Sequence, residues 1–87
     1  MPLYHLRATA RRRAPAKMSE LDFFVTAASH VEAGARAHDA FRENGWEFAE
    51  YLVLPHETLM ETLQGPLKQA AMLALKNGEC LHVFEAA

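Results

Sequence analysis

Residues 21 to 54 constrain the fold more than any other stretch, because two strand-like runs and a fully punctuated helix follow one another there without a gap. Leu-Asp-Phe-Phe-Val-Thr-Ala-Ala (21 to 28) is short and rich in aromatic and β-branched residues, as a strand is. Leu21, Phe24, Val25, Ala28 and Val31 also have helical spacing, with Ser19 as a possible cap, so the strand reading here has a competitor. Ser29 then opens a capping box: its hydroxyl can accept from the amide of Glu32, whose carboxylate can reach back. At 100° per residue Glu32, Arg36, Asp39 and Glu43 share one side of the helix that follows. Val31, Ala33, Gly34, Ala37, Ala40 and Phe41 share the other, which should be buried. Asn44-Gly45 supplies a left-handed stop, and Trp46 can fold back onto the helix end. From Trp46 to Leu54 the chain again reads as strand, until Pro55 removes a ladder amide.

The helix, Asn-Gly and strand arrangement occurs again, with Asn77-Gly78 following Asn44-Gly45 by 33 residues. Thr58 and Glu61 make a second capping-box pattern ahead of Leu59, Met60 and Leu63, which predict a turn or two of helix before Gly65-Pro66. Pro66 suits the first position of a further helix, where its missing amide costs nothing. Leu67, Ala70, Ala71, Ala74 and Leu75 share one face of that helix; Lys68, Met72 and Lys76 share the outer face, so Met72 stands where a lysine is expected. Asn77-Gly78 ends it. Leu81 and Val83 then alternate with Cys80, His82 and Phe84 in a last strand. Helices with one apolar face each, beside three or four strands, predict a small α+β domain in (β)βαβαβ order, its single sheet carrying both helices on one face.

Such a sheet has a bare second face, expected to carry some of Phe24, Tyr51, Cys80, His82 and Phe84. A chain of 87 residues buries only about 60 to 65% of its unfolded surface, so its core is thin. The leading expectation is therefore a non-enzymatic interaction module that forms a homodimer or binds a protein partner. Its interface candidates are Phe24, Tyr51, Met72, His82 and Phe84. One cysteine, no secretory pattern and no apolar run near 18 residues suit a cytoplasmic protein without a membrane span.

Charge is distributed unevenly. Residues 1 to 19 hold Arg7, Arg11, Arg12, Arg13 and Lys17 and no acid, whereas residues 20 to 87 hold four bases and eleven acids. Residues 1 to 17 read as a basic arm or an edge strand outside a domain spanning 18 to 87. Arg11, Arg12, Arg13 and Lys17 make nucleic-acid binding the second expectation, although no interleaved aromatic residue could stack a base.

Motifs for chemistry are sparse. No phosphate loop, nucleophile elbow or metalloprotease helix is present, and no cofactor is implied. Cys80 and His82 would share one side of a strand, but no second close pair completes a metal site, and none is expected. Met1-Pro2-Leu-Tyr-His-Leu resembles the start of tautomerase-superfamily subunits, which implies an amino-terminal Pro2 as general base with one of Arg11 to Arg13 holding an anionic substrate. Residues 76 to 87 resemble the C-terminal helix, turn and strand of some small phage anti-CRISPR inhibitors, which implies a small regulator or inhibitor seated on a larger complex.

Overall fold

In the computed structural model, which describes residues 1–13 and 16–84, the alternating runs become four strands: β1 (Leu3–Arg11), β2 (Ser19–Thr26), β3 (Glu47–Glu57) and β4 (Glu79–Phe84). Helix α1 (His30–Glu43) joins β2 to β3, and helix α2 (Gly65–Asn77) joins β3 to β4. Ala14 and Pro15, within the stretch read as a loop, and residues 85 to 87, the end of the C-terminal stretch, lie outside the described residues. The strands form one antiparallel sheet in the order β3-β1-β2-β4. The α+β class and the element order are those the sequence predicts, and 21 to 28 resolves in favour of the strand.

The helix signals act as read. Ser29 accepts from the Glu32 amide at 3.2 Å. At the other end of α1, Gly45 takes φ 78° and donates to the Arg42 carbonyl, while Trp46 donates to the Phe41 carbonyl at 2.8 Å. This paired closure satisfies two orphan carbonyls and turns the indole onto the core. The second capping box fails: Thr58 to Glu61 yields only a single 3-10 turn, Met60–Thr62, preceded by Leu59 without a side-chain cap. Val31 and Leu75, read as buried, are 70% and 53% exposed. Val31 sits in the first turn of α1. Leu75 lies beside a buried stripe of Ala70, Ala71 and Ala74 too narrow to include it.

Two expectations are overturned. Within the stretch read as a basic arm or an edge strand, Leu3–Arg11 is instead a central strand, β1, paired with β2 on one side and β3 on the other. The helices also do not share a face. Leu21, Phe23 and Val25 of β2 pack with Leu6, Ala8, Ala33, Ala37 and Phe41 beneath α1, whereas Phe24 packs with Leu3, Ala70, Ala71 and Ala74 beneath α2. Successive strand residues point to opposite faces, so a run as continuously apolar as 21 to 25 demands cover on both sides. Burying Phe23 and Phe24 fully stabilises the fold by about 1.5 to 3 kcal/mol each.

Candidate interaction surface

The centre of the α2-side face holds a buried carboxylate. Asp22, directly opposite Arg7 on β1 and His82 on β4, has no exposed surface. His5 Nε2 lies 2.8 Å from its Oδ1, Arg7 Nε donates to the same oxygen at 2.9 Å, and Arg7 Nη2 donates to Oδ2 at 3.2 Å. Burial pushes the Asp22 carboxyl upward, but the hydrogen bonds and charges of His5 and Arg7 outweigh it and hold the group below its usual range. The Arg7 guanidinium, bonded to Asp22, is pushed above its ordinary value. An ionised Asp22 can only accept, so His5 presents Nε2–H to it.

A His-Asp pair is a possible proton-transfer element, but its surroundings are those of a packing group. His5 stacks on Phe24 with centroids 4.6 Å apart and meets His56 edge-on at 5.3 Å. Arg7 lies 5.7 Å from the Phe84 ring, which leans over the pair from β4. Among the described residues every buried side-chain polar atom is bonded. This cluster was missed in the sequence; its signal was a single carboxylate inside an apolar run, with His5 and Arg7 alternating on the strand before it.

The five interface candidates do not form one patch. Phe24 is fully buried beneath α2 and so belongs to the core. Tyr51 is on the α1 side, half-buried, its hydroxyl 3.1 Å from His38 Nε2, and burial pushes its pKa up. Met72 is exposed on the outer face of α2, beside Leu73. Only His82 and Phe84 are neighbours, at the end of β4 that α2 leaves bare; Phe84 is 46% exposed.

Strand β4 combines bare side chains with bare backbone. Helix α1 packs over β3, β2 and β1, leaving Leu81 and Val83 half-buried on their side, while α2 covers Cys80 at one end only. Burial there pushes the Cys80 thiol pKa up, as suits an inert thiol. The Thr26 amide donates to Gly78 O and the Ala27 amide to Pro2 O. Bonding alternates between the two sides of a strand with period two. Even residues of β2 therefore bond β4 through Cys80, His82 and Phe84, and the backbone groups of Glu79, Leu81 and Val83 point outward at an edge that is free among the described residues. Beyond Phe84 a depression of about 850 Å³ is lined by Arg12, Lys17, Met18, Trp46, Val83 and others.

The basic residues are dispersed. Arg11 pairs with Glu47 at 3.6 Å; Arg12 lies 4.2 Å over the Trp46 ring and donates to Asn44 O at 2.6 Å; Arg13 and Lys17 are exposed. Pro2 precedes β1 and its carbonyl accepts from Ala27 at 3.2 Å. Arg11 is at the far end of that strand, about 30 Å away at 3.3 Å per residue, so Arg11 to Arg13 cannot assist an amine at Pro2. Among the described residues no three metal-ligating side chains gather, and no helix is long and apolar enough to cross a membrane. Comparison with protein-family models, curated proteins and solved structures returns no match for this chain.

Proposed function

We propose that this protein is a non-enzymatic interaction module that binds another polypeptide chain along the β4 side of its sheet. The observation that carries the reading is the free edge of β4, where outward backbone groups at Glu79, Leu81 and Val83 coincide with incompletely covered Leu81, Val83 and Phe84. An extended segment added there gains main-chain hydrogen bonds and buries apolar side chains on both faces. Binding in this way would suit a regulator or inhibitor of a larger assembly.

Nucleic-acid binding has weaker support, since two of its four basic residues are engaged by Glu47, Trp46 and Asn44. A photo-crosslinking residue placed at Phe84, compared with one at the distant and more exposed Val31, tests the reading in cells that make the protein. A crosslink to a polypeptide from position 84 and none from position 31 is expected. Equal products from both positions, or none from either, would remove the β4 side as the binding surface.

A further inference from the structure

We infer that the chain bound at β4 is a second copy of this protein, paired antiparallel about a two-fold axis through His82. This rests on the reading of β4 as the binding edge and adds the identity and register of the occupant.

A two-fold axis that joins two edges antiparallel stands perpendicular to the sheet and keeps each face on its own side. The axis must therefore pass through a residue, Leu81 or His82, and not between them. Centred on His82, Leu81 lies opposite the partner's Val83 and Cys80 opposite the partner's Phe84, with His82 facing the partner's His82. Every apolar side chain then meets an apolar one. The outward backbone groups of Leu81 and Val83 bond those of the partner's Val83 and the partner's Leu81, so both copies use the groups that β2 leaves free. Centred on Leu81, the Glu79 carboxylate, which Arg36 of its own chain holds at 2.8 Å, would lie against the partner's Val83 instead, which sets an ion pair against an apolar side chain.

One further observation fits the register about His82. The covered and bare ends of β4 are complementary: Cys80 lies under α2 and Phe84 does not, and the antiparallel pair brings the partner's bare Phe84 beside the covered Cys80. Leu81 and Val83 from both copies join into one apolar strip on the α1 side, which a single chain leaves uncovered.

Sedimentation of the full chain at tens of micromolar should give twice the 9.8 kDa of one copy. Val83→Pro should return it to 9.8 kDa with the circular dichroism unchanged, because the Val83 amide points away from β2 and no intrachain ladder bond is lost. If that variant does not fold, disulfide trapping reads the register directly. In a Cys80→Ala background, His82→Cys should oxidise to a covalent dimer, since facing residues of a non-hydrogen-bonded pair are about 4.5 Å apart at Cα, inside the disulfide range of about 4.4 to 6.8 Å. Leu81→Cys in the same background should not. A monomer at these concentrations, or trapping at 81 and not at 82, overturns the inference. If the crosslink from position 84 instead joins a different protein, the second copy falls while the binding edge stands.

Discussion

Against the residues Tyr4 to Arg11 of β1, edge strand β3 sets the longer run Glu47 to Glu57, whereas edge strand β4 matches β2 residue for residue. The surplus in β3 is taken up as register shifts at three places, between His5 and Arg7, between Arg7 and Ala8, and between Thr9 and Ala10. Each is a bulge that twists the edge, and β3 adds Pro55, which lacks an amide, and the charges of Glu47, Glu50 and Glu57. These devices keep another strand from docking, although Leu52 and Leu54 are exposed there. Strand β4 has no bulge, no proline and one acid, Glu79. Exposed leucines alone would have pointed to β3; backbone geometry points to β4.

The cluster between the two edges should matter most. His5 reaches toward His56 on β3, and Asp22 sits opposite His82 on β4, so one buried carboxylate underlies both sides. Replacing Arg7 by Met leaves that carboxylate with a single partner, which costs about 3 to 5 kcal/mol in a fully buried pair. Arg7 is about 29% exposed, so a loss near the lower end is expected in urea unfolding at neutral pH. A loss below about 1 kcal/mol would show that the hydrophobic layers hold the two edges without the charges.

Proline scanning then separates the two sides of β4. His82→Pro removes an amide that bonds β2 and should cost about 1 to 3 kcal/mol, whereas Val83→Pro should leave the single copy's stability within about 1 kcal/mol. Equal losses would mean that the assignment of inward and outward amides is wrong. In β3, by contrast, Pro55 is already accommodated within the strand.

Acid gives a smaller, graded effect. The Asp22 pKa is depressed in the folded state, so its stabilisation is fully present above the unfolded value of about 3.9 and is lost as pH falls through the lower folded value. Hydrogen exchange, corrected for its intrinsic pH dependence, should show amide protection falling at Asp22 and His82 below about pH 4, ahead of protection along β3. Uniform loss along both edges would contradict a local role for the carboxylate.

How far these features were legible in the sequence depends on the range of the interaction. Ser29, Gly45 and the Glu79 to Phe84 alternation were readable because caps and pleats are set within a few residues. The place of β1 was not, because whether Leu3 to Arg11 lies at an edge or in the centre is decided by β3, which pairs with it from more than 35 residues away. The opposed helices were half visible: Phe23 and Phe24 are adjacent and both apolar, which in a strand requires two covered faces. The Asp22 cluster depended on pairing register, which no local pattern carries. The four basic residues look alike in sequence, and only the fold gives Arg11 a carboxylate and Arg12 an indole.

The smallest expected effect concerns how α1 lies on β3. A Cβ built at Gly34 would stand 3.4 Å from the Tyr51 hydroxyl and 3.7 Å from Pro55 Cγ, both ordinary contact distances. Alanine there gains about 1 kcal/mol of helix propensity over glycine. The hydroxyl is tied to His38 at 3.1 Å and can yield only slightly, so part of that gain should be offset. Gly34→Ala is therefore expected to stabilise the single copy by less than about 1 kcal/mol and to leave the β4 edge unchanged. Destabilisation by more than that, read from thermal unfolding, would mean that α1 approaches β3 as closely as a glycine allows, and that this edge is closed by the helix as well as by its bulges.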